Sequence, residues 1–294
     1  MSTSTQAGIS AATPTFAKRK ARTLIGWLPE QEGALWIAGR EMKQAPEPAH
    51  LEACQRARAA VAAREAGIKQ NDLFSPLPAE LEAHIQALQA NPKSARALSA
   101  AGTPRMVDLR WVCAAQPTVA TEDAVARVHG ISGADLLALA KLTLPLSEDA
   151  RIPVVFDQHK NAWIVSSPNP NLRVAGAFEA SPGAGLLGYG FIIEQPKSYL
   201  HVCGVAGRYF LRDGYHRAYG LLAGGITHVP ALVSDVASFA EAQMPPGLLA
   251  PTEYLGPRPP MLVDYLSDNV AHDSAMPVTT KIIALQALEL SSIG

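Results

Sequence analysis

The sequence predicts an α+β protein: a mixed sheet core, a helical N-terminal region and a proline-rich C-terminal wrap. Three observations lead there. Apolar residues recur at helical spacing between His50 and Ala90. From Met106 onward, runs rich in Val, Ile, Leu and aromatic residues are punctuated by Gly, Pro and Asn. Finally, Gly207 to Val233 (GRYFLRDGYHRAYGLLAGGITHVPALV) reads as strand, tight turn, helix, turn, strand.

In order, residues 1–22 read as a disordered tail, Ser/Thr/Ala-rich and ending in a solvated basic cluster, Lys18-Arg19-Lys20. Residues 23–104 form a mainly helical region. Its first part, Thr23 to Gly39, reads as two short extended or looped segments, because Pro29 and Gly33 interrupt it. His50 to Ala66 is an amphipathic helix with Leu51, Cys54, Ala57 and Val61 on one face. Ala79 to Ala90 is a second, with Leu81, Ile85 and Leu88 inward and His84 on the surface; Pro78 suits its first turn. Pro92 to Pro104 reads as a linker or frayed helix.

Residues 105–294 then hold the α+β domain and its extension. Met106 to Ala115 is a strand with Asp108 as a polar interruption. Thr121 and Ser132 precede two helices. Ile152–Phe156 and Ala162–Val165 suggest a hairpin. Ser166 to Arg173 is an irregular loop whose Asn169, Asn171 and Arg173, with Glu194, are candidates for a polar pocket. Ser181 to Gly190 (SPGAGLLGYG) reads as a mobile glycine-rich loop, a lid in form, since it matches neither GxxxxGK[ST] nor GxGxxG in context. His201 and Cys203 share a side of a strand, where a buried thiol beside a histidine outweighs a metal site. The stretch from Met244 to Pro260 wraps a surface, and Thr280 to Leu290 is a strand that closes the sheet.

Composition narrows the function. With 25 Lys+Arg against 26 Asp+Glu, the formal net charge is −1, so no basic excess supports non-specific nucleic-acid binding. Cys54, Cys113 and Cys203 are scattered, without CxxC, which suggests buried thiols in a reducing compartment. No apolar run approaches the ~20 residues of a membrane span, and the N-terminus lacks the charged and apolar regions of a signal peptide. A cytoplasmic location and no membrane partner are the expectations.

The chemistry concentrates at Asp213-Gly214-Tyr215-His216-Arg217. A helix N-terminus exposes unpaired N–H groups and the positive end of its dipole, which suits phosphate. Gly214 and Tyr215 bring the backbone close, and His216 and Arg217 add side-chain donors. Asp213 can orient them, hold a metal carried by a nucleotide, or take a proton. The structural alternative has Asp213 capping the helix and Arg217 in an ion pair.

Asp213 to Ala218, with Gly225-Ile226 and Val229-Pro230 after it, resembles the ParB/sulfiredoxin-like superfamily in its Asp-Gly-x-His-Arg form. That superfamily cradles nucleotide phosphates at this turn. Its members include CTP-binding partition proteins, ATP-using sulfiredoxins and a small-molecule serine kinase. Tyr215 stands where sulfiredoxins carry their cysteine, so sulfinic acid reduction is not expected. Partition proteins carry Glu-Arg-Arg there and a DNA-reading domain after it. Tyr215-His216-Arg217 and the proline-rich remainder depart from both features, and DNA binding is not expected. The resemblance implies a nucleoside triphosphate or diphosphate with Mg²⁺ as cofactor, or a small phosphorylated ligand, and no transition metal. Asp213 and His216 are the catalytic candidates if the protein is a phosphotransferase or NTPase, with Glu194 or Glu179 as a second carboxylate. Arg217→Ala is then expected to abolish binding with the fold intact. The alternative is a non-catalytic ligand-sensing or partner-binding module. A nuclease needs a carboxylate cluster and a basic groove, and the sequence shows neither.

Overall fold

The computed structural model describes residues 17–39, 46–68, 70, 72–147, 152–169, 171–184, 186–244 and 247–286. The chain opens with β1 (Lys18–Thr23), α1 (Glu30–Ile37) and α2 (Pro48–Ala62). Next come β2 (Phe74–Ser75), α3 (Glu82–Ala90), α4 (Pro92–Ala101) and β3 (Thr103–Asp108). β4 (Thr118–Ala120) runs straight into α5 (Thr121–Val128), followed by α6 (Leu136–Thr143). A β-rich stretch contributes β5 (Val154–Asp157), β6 (Ala162–Ser167), β7 (Arg173–Gly183) and β8 (Leu186–Glu194). The central unit is β9 (His201–Val205), β10 (Arg208–Asp213), α7 (Tyr215–Ala223) and β11 (His228–Asp235). Short α8 (Phe239–Ala242) and α9 (Pro251–Tyr254) precede β12 (His272–Pro277) and β13 (Lys281–Gln286).

The main sheet has five strands in the order β10-β9-β11-β3-β2. β9 and β11 are parallel and the other ladders antiparallel, so the sheet is mixed. α7 is the crossover that carries the chain from β10 past β9 to β11. Its apolar face, Ala218, Leu221 and Leu222, enters a core shared with Leu24, Trp27, Leu73, Leu109, Phe210 and Val229. α7 also lies close against α5. A Cβ on Gly220 would sit 2.5 Å from the Ala124 carbonyl oxygen, so only glycine allows this approach.

Several expectations are corrected. Lys18 to Arg22 is not a loose tail. β1 lies between β12 and β4, and Arg22 is held by Asp268 at 2.7 Å and Asp273 at 3.0 Å. These partners are remote in sequence, so a local reading sees only a basic run. Glu30–Ile37 is helical, not extended. Glu30 and Glu32 favour its first turn, and Gly33 serves helix contact, since a Cβ there would lie 2.8 Å from Cys54 Sγ. Pro92–Ala101 is a full helix, capped by the Asn91 side chain, which accepts from the Lys93 and Ser94 amides. The strand at 106–115 ends at Asp108, whose carboxylate accepts the Arg110 N–H and starts a 3-10 turn.

The glycine-rich segment is not a loop. Most of it lies in the β7–β8 hairpin, where Gly190 accommodates the Phe178 ring across the ladder. The C-terminal strand does not close the main sheet. β13 pairs with β6, and residues 287–290 of the expected strand lie outside the described residues, as do residues 1–16 of the tail. His84 is buried, and its Nε2–H donates to the Leu144 carbonyl at 2.9 Å. The proline-rich wrap is pinned by Arg258, which donates to Arg64 O at 2.6 Å while its own carbonyl accepts from Trp27 Nε1 at 2.7 Å.

Candidate functional site

β10 ends at a register shift opposite β9, between Leu211 and Asp213. Gly214 then takes φ +97°, ψ 19°, the left-handed region that favours glycine. A Cβ there would meet the Leu200 Cα at 3.2 Å and an Arg217 guanidinium nitrogen at 3.3 Å. The first intrahelical bond of α7 runs from Ala218 N–H to Gly214 O at 2.9 Å. Tyr215, His216 and Arg217 thus begin the helix with N–H groups that have no carbonyl one turn back, and no side chain caps them. Asp213 does not cap the helix; its Oδ1 accepts from Gly214 N–H at 2.6 Å and its side chain stays exposed.

The other side chains of the motif diverge. Tyr215 points into the core, and its hydroxyl accepts from the Ala115 and Gln116 amides at 3.0 and 3.2 Å. Burial pushes its pKa well up, so it stays a neutral phenol. Arg217 is also buried. It donates to Leu142 O at 3.0 Å, to Ser198 O at 2.8 Å and to Ser198 Oγ at 2.9 Å. Burial lowers its pKa to about 10, against the pull of Asp213, and it remains charged at neutral pH. The guanidinium therefore clamps the end of α6 to the segment before β9. His216 is half-buried and its Nε2 is buried without a hydrogen-bond partner. Burial, then Arg127 and Arg19, lower its pKa to about 4, with Asp123 opposing; it is neutral at pH 7.

The second group of candidates forms a different structure. Asn169 Oδ1 accepts from Asn171 N–H at 2.9 Å, an Asx turn, and Asn171 Nδ2 donates to Pro196 O at 3.4 Å. Arg173 and Glu194 pair across the foot of the β7–β8 hairpin at 2.6 Å. Glu179 lies on β7 opposite Tyr189. Asn169 thus meets Asn171 and Arg173 meets Glu194, and the chain from Gln195 to Leu200 joins the asparagine turn to the clamp: Pro196 receives Asn171, Ser198 receives Arg217, and Leu200 N–H donates to Thr143 O at 2.7 Å.

A polar chain beside the turn has no signature in the sequence. Arg212 Nη1 donates to His201 Nδ1 at 3.2 Å, so Nε2 carries the hydrogen and donates to Ser234 Oγ at 2.9 Å. Ser234 in turn donates to Cys203 Sγ at 3.5 Å. Burial, then Arg212, lower the His201 pKa to about 4. In this tautomer His201 cannot take a proton from Ser234, so the pair is not a nucleophile and its base. Among the described residues no three His, Cys, Asp or Glu side chains gather as a metal site. For Mg²⁺ carried by a nucleotide, the exposed Asp213 is the carboxylate at the turn. Concavities of about 380 Å³ beside Leu77 and Ile85, and about 410 Å³ beside Gln70 and Arg208, lie elsewhere. No helix among the described residues is long and apolar enough to cross a membrane.

No protein-family model, curated protein or solved structure matches this chain.

Proposed function

We propose that this protein binds the phosphate of a nucleotide, or of a small phosphorylated ligand, at the first turn of α7. The ligands are the main-chain N–H groups of Tyr215, His216 and Arg217 and the imidazole of His216. Asp213 stands at the rim, where it would meet Mg²⁺ on a di- or triphosphate. The observation that carries this reading is the left-handed Gly214, which opens an uncapped helix N-terminus beside a histidine whose buried Nε2 lacks a partner. The resemblance of Asp213–Ala218 to the ParB/sulfiredoxin-like superfamily supports the same ligand. Arg217 takes a different part from the one its sequence suggests: its donors serve Leu142 and Ser198, so it shapes the turn from behind. Free buried thiols at Cys54, Cys113 and Cys203 accord with work in the cytoplasm. If the site is catalytic, phosphoryl transfer or nucleotide hydrolysis with Asp213 as metal ligand or base is the reaction.

Thermal shift with ATP, ADP, CTP and GTP, each with Mg²⁺, tests this. One nucleotide should raise the melting temperature of the wild type, and His216→Ala should lose much of the rise. Absence of any shift overturns the proposal. It would favour a partner-binding module of the same fold, the reading that the fully engaged Arg217 side chain already supports.

A further inference from the structure

His216 and Gly220 stand one turn apart on α7, so they share a face. That face meets α5. A Cβ on Gly220 would lie 2.5 Å from the Ala124 carbonyl oxygen and 2.9 Å from Val128 Cγ2. Asp123 and Arg127 each precede one of these two residues, and they are themselves one turn apart, so they form the neighbouring stripe of α5. β1 adds Arg19, which donates to the Asp123 carboxylate. Three elements thus bring Arg19, Asp123 and Arg127 around His216. The charges of Arg127 and Arg19 are the strongest that act on its imidazole, and Arg127 acts on Arg217 as well.

The donors gathered here are not all used. His216 Nε2 and Arg19 Nε are buried without a hydrogen-bond partner. Arg127 is exposed and makes no hydrogen bond or ion pair among the described residues. Its charge suits the last turn of α5, but that role leaves the N–H groups of its guanidinium free. The neighbouring cations are matched: Asp123 holds Arg19, and Asp213 opposes Arg217. Arg127 is the unmatched cation of the group.

We propose that Arg127, joined by Arg19, is the cationic half of the phosphate site, and that the site therefore takes a terminal, dianionic phosphate in preference to a phosphodiester. This inference rests on the phosphate reading of α7 and adds its specificity. The charge balance carries it. A helix N-terminus supplies about half a positive charge, and Arg127 adds a whole one. A terminal phosphate carries about −1.5 to −2 at pH 7, whereas a diester carries a single charge. The guanidinium fork also matches two oxygens of one phosphate. Asp123 is the internal competitor: its carboxylate engages Arg19 as a bound anion would.

Calorimetric titration of the full chain with inorganic pyrophosphate, and separately with dimethyl phosphate, both with Mg²⁺, tests this. The wild type should bind pyrophosphate and not dimethyl phosphate. Arg127→Gln should weaken pyrophosphate about tenfold or more, the loss of a charge-assisted pair, with an unchanged circular dichroism spectrum. Arg105→Gln removes an exposed arginine of β3 that lies over Phe74, and should change nothing. Asp123→Asn should tighten pyrophosphate several-fold by releasing Arg19, a gain that damage to the fold does not mimic. Equal binding by the wild type and a folded Arg127→Gln, an equal loss in Arg105→Gln, or dimethyl phosphate binding as tightly as pyrophosphate overturns the proposal. No gain in Asp123→Asn overturns it too, which keeps the test decisive where Arg127→Gln does not fold. A nucleotide shift in a wild type that ignores pyrophosphate leaves the phosphate reading standing and removes this inference alone. No response to any nucleotide or to pyrophosphate removes both.

Discussion

Arg217 and Ser198 are joined twice, guanidinium to carbonyl oxygen at 2.8 Å and guanidinium to hydroxyl at 2.9 Å. The arginine of the motif thus faces the protein interior while its neighbour His216 keeps part of its surface in solvent. Arg217→Ala leaves Leu142 O and the Ser198 oxygens without their donor in a buried site. Hydrogen bonds to a charged group contribute about 1.5–3 kcal/mol each, so urea denaturation should show a loss of about 3 kcal/mol or more. A variant of unchanged stability that no longer binds nucleotide would return Arg217 to the phosphate.

Two histidines set an acid limit. His201 and His216 both have pKa values lowered from 6.5 to about 4 by burial first of all. The unfolded chain therefore binds protons before the folded one does as pH falls. Their contribution to stability is complete above about pH 6.5, declines between 6.5 and 4, and falls no further below that. Melting temperatures from pH 8 to pH 4 should show this decline, and His216→Ala should flatten it. An unchanged slope in the variant would show that His216 is not held neutral.

Tyr215 gives a third measurement. Tyr215→Phe keeps the ring but removes the oxygen that accepts from Ala115 and Gln116. The buried Ala115 N–H and the partly buried Gln116 N–H then lack an acceptor, at a cost of roughly 1–3 kcal/mol each. Chemical denaturation should register a loss of about 2 kcal/mol or more for the two together, and equal stability would mean that water replaces the hydroxyl.

The sequence carried the local elements well. Asp213-Gly214 marked the turn, the Ala218, Leu221, Leu222 spacing marked α7, and Gly224-Gly225 marked its end. Those signals are short-range: a φ preference, a periodicity, a C-cap. What it could not carry was long-range pairing. The place of Lys18–Thr23 depends on strands at 118–120 and 272–277, and the Gly188/Gly190 alternation looks like a loop until Phe178 is placed across from it. The candidate site divided for the same reason. That Gly214 starts a helix is local; that Arg217 would be consumed by Ser198 depends on a residue with no motif, in the segment QPKSYL before β9.

The segment Gln195–Leu200 has a mechanical consequence. It is fastened at Pro196 to the foot of the hairpin, at Ser198 to the guanidinium behind the glycine turn, and at Leu200 to the end of α6. The hairpin is thus tethered through a few main-chain bonds to the scaffold under α7. Load applied to that arm travels along the strap and is shared between the Arg217 fork at Ser198 and the main-chain bonds at Leu200.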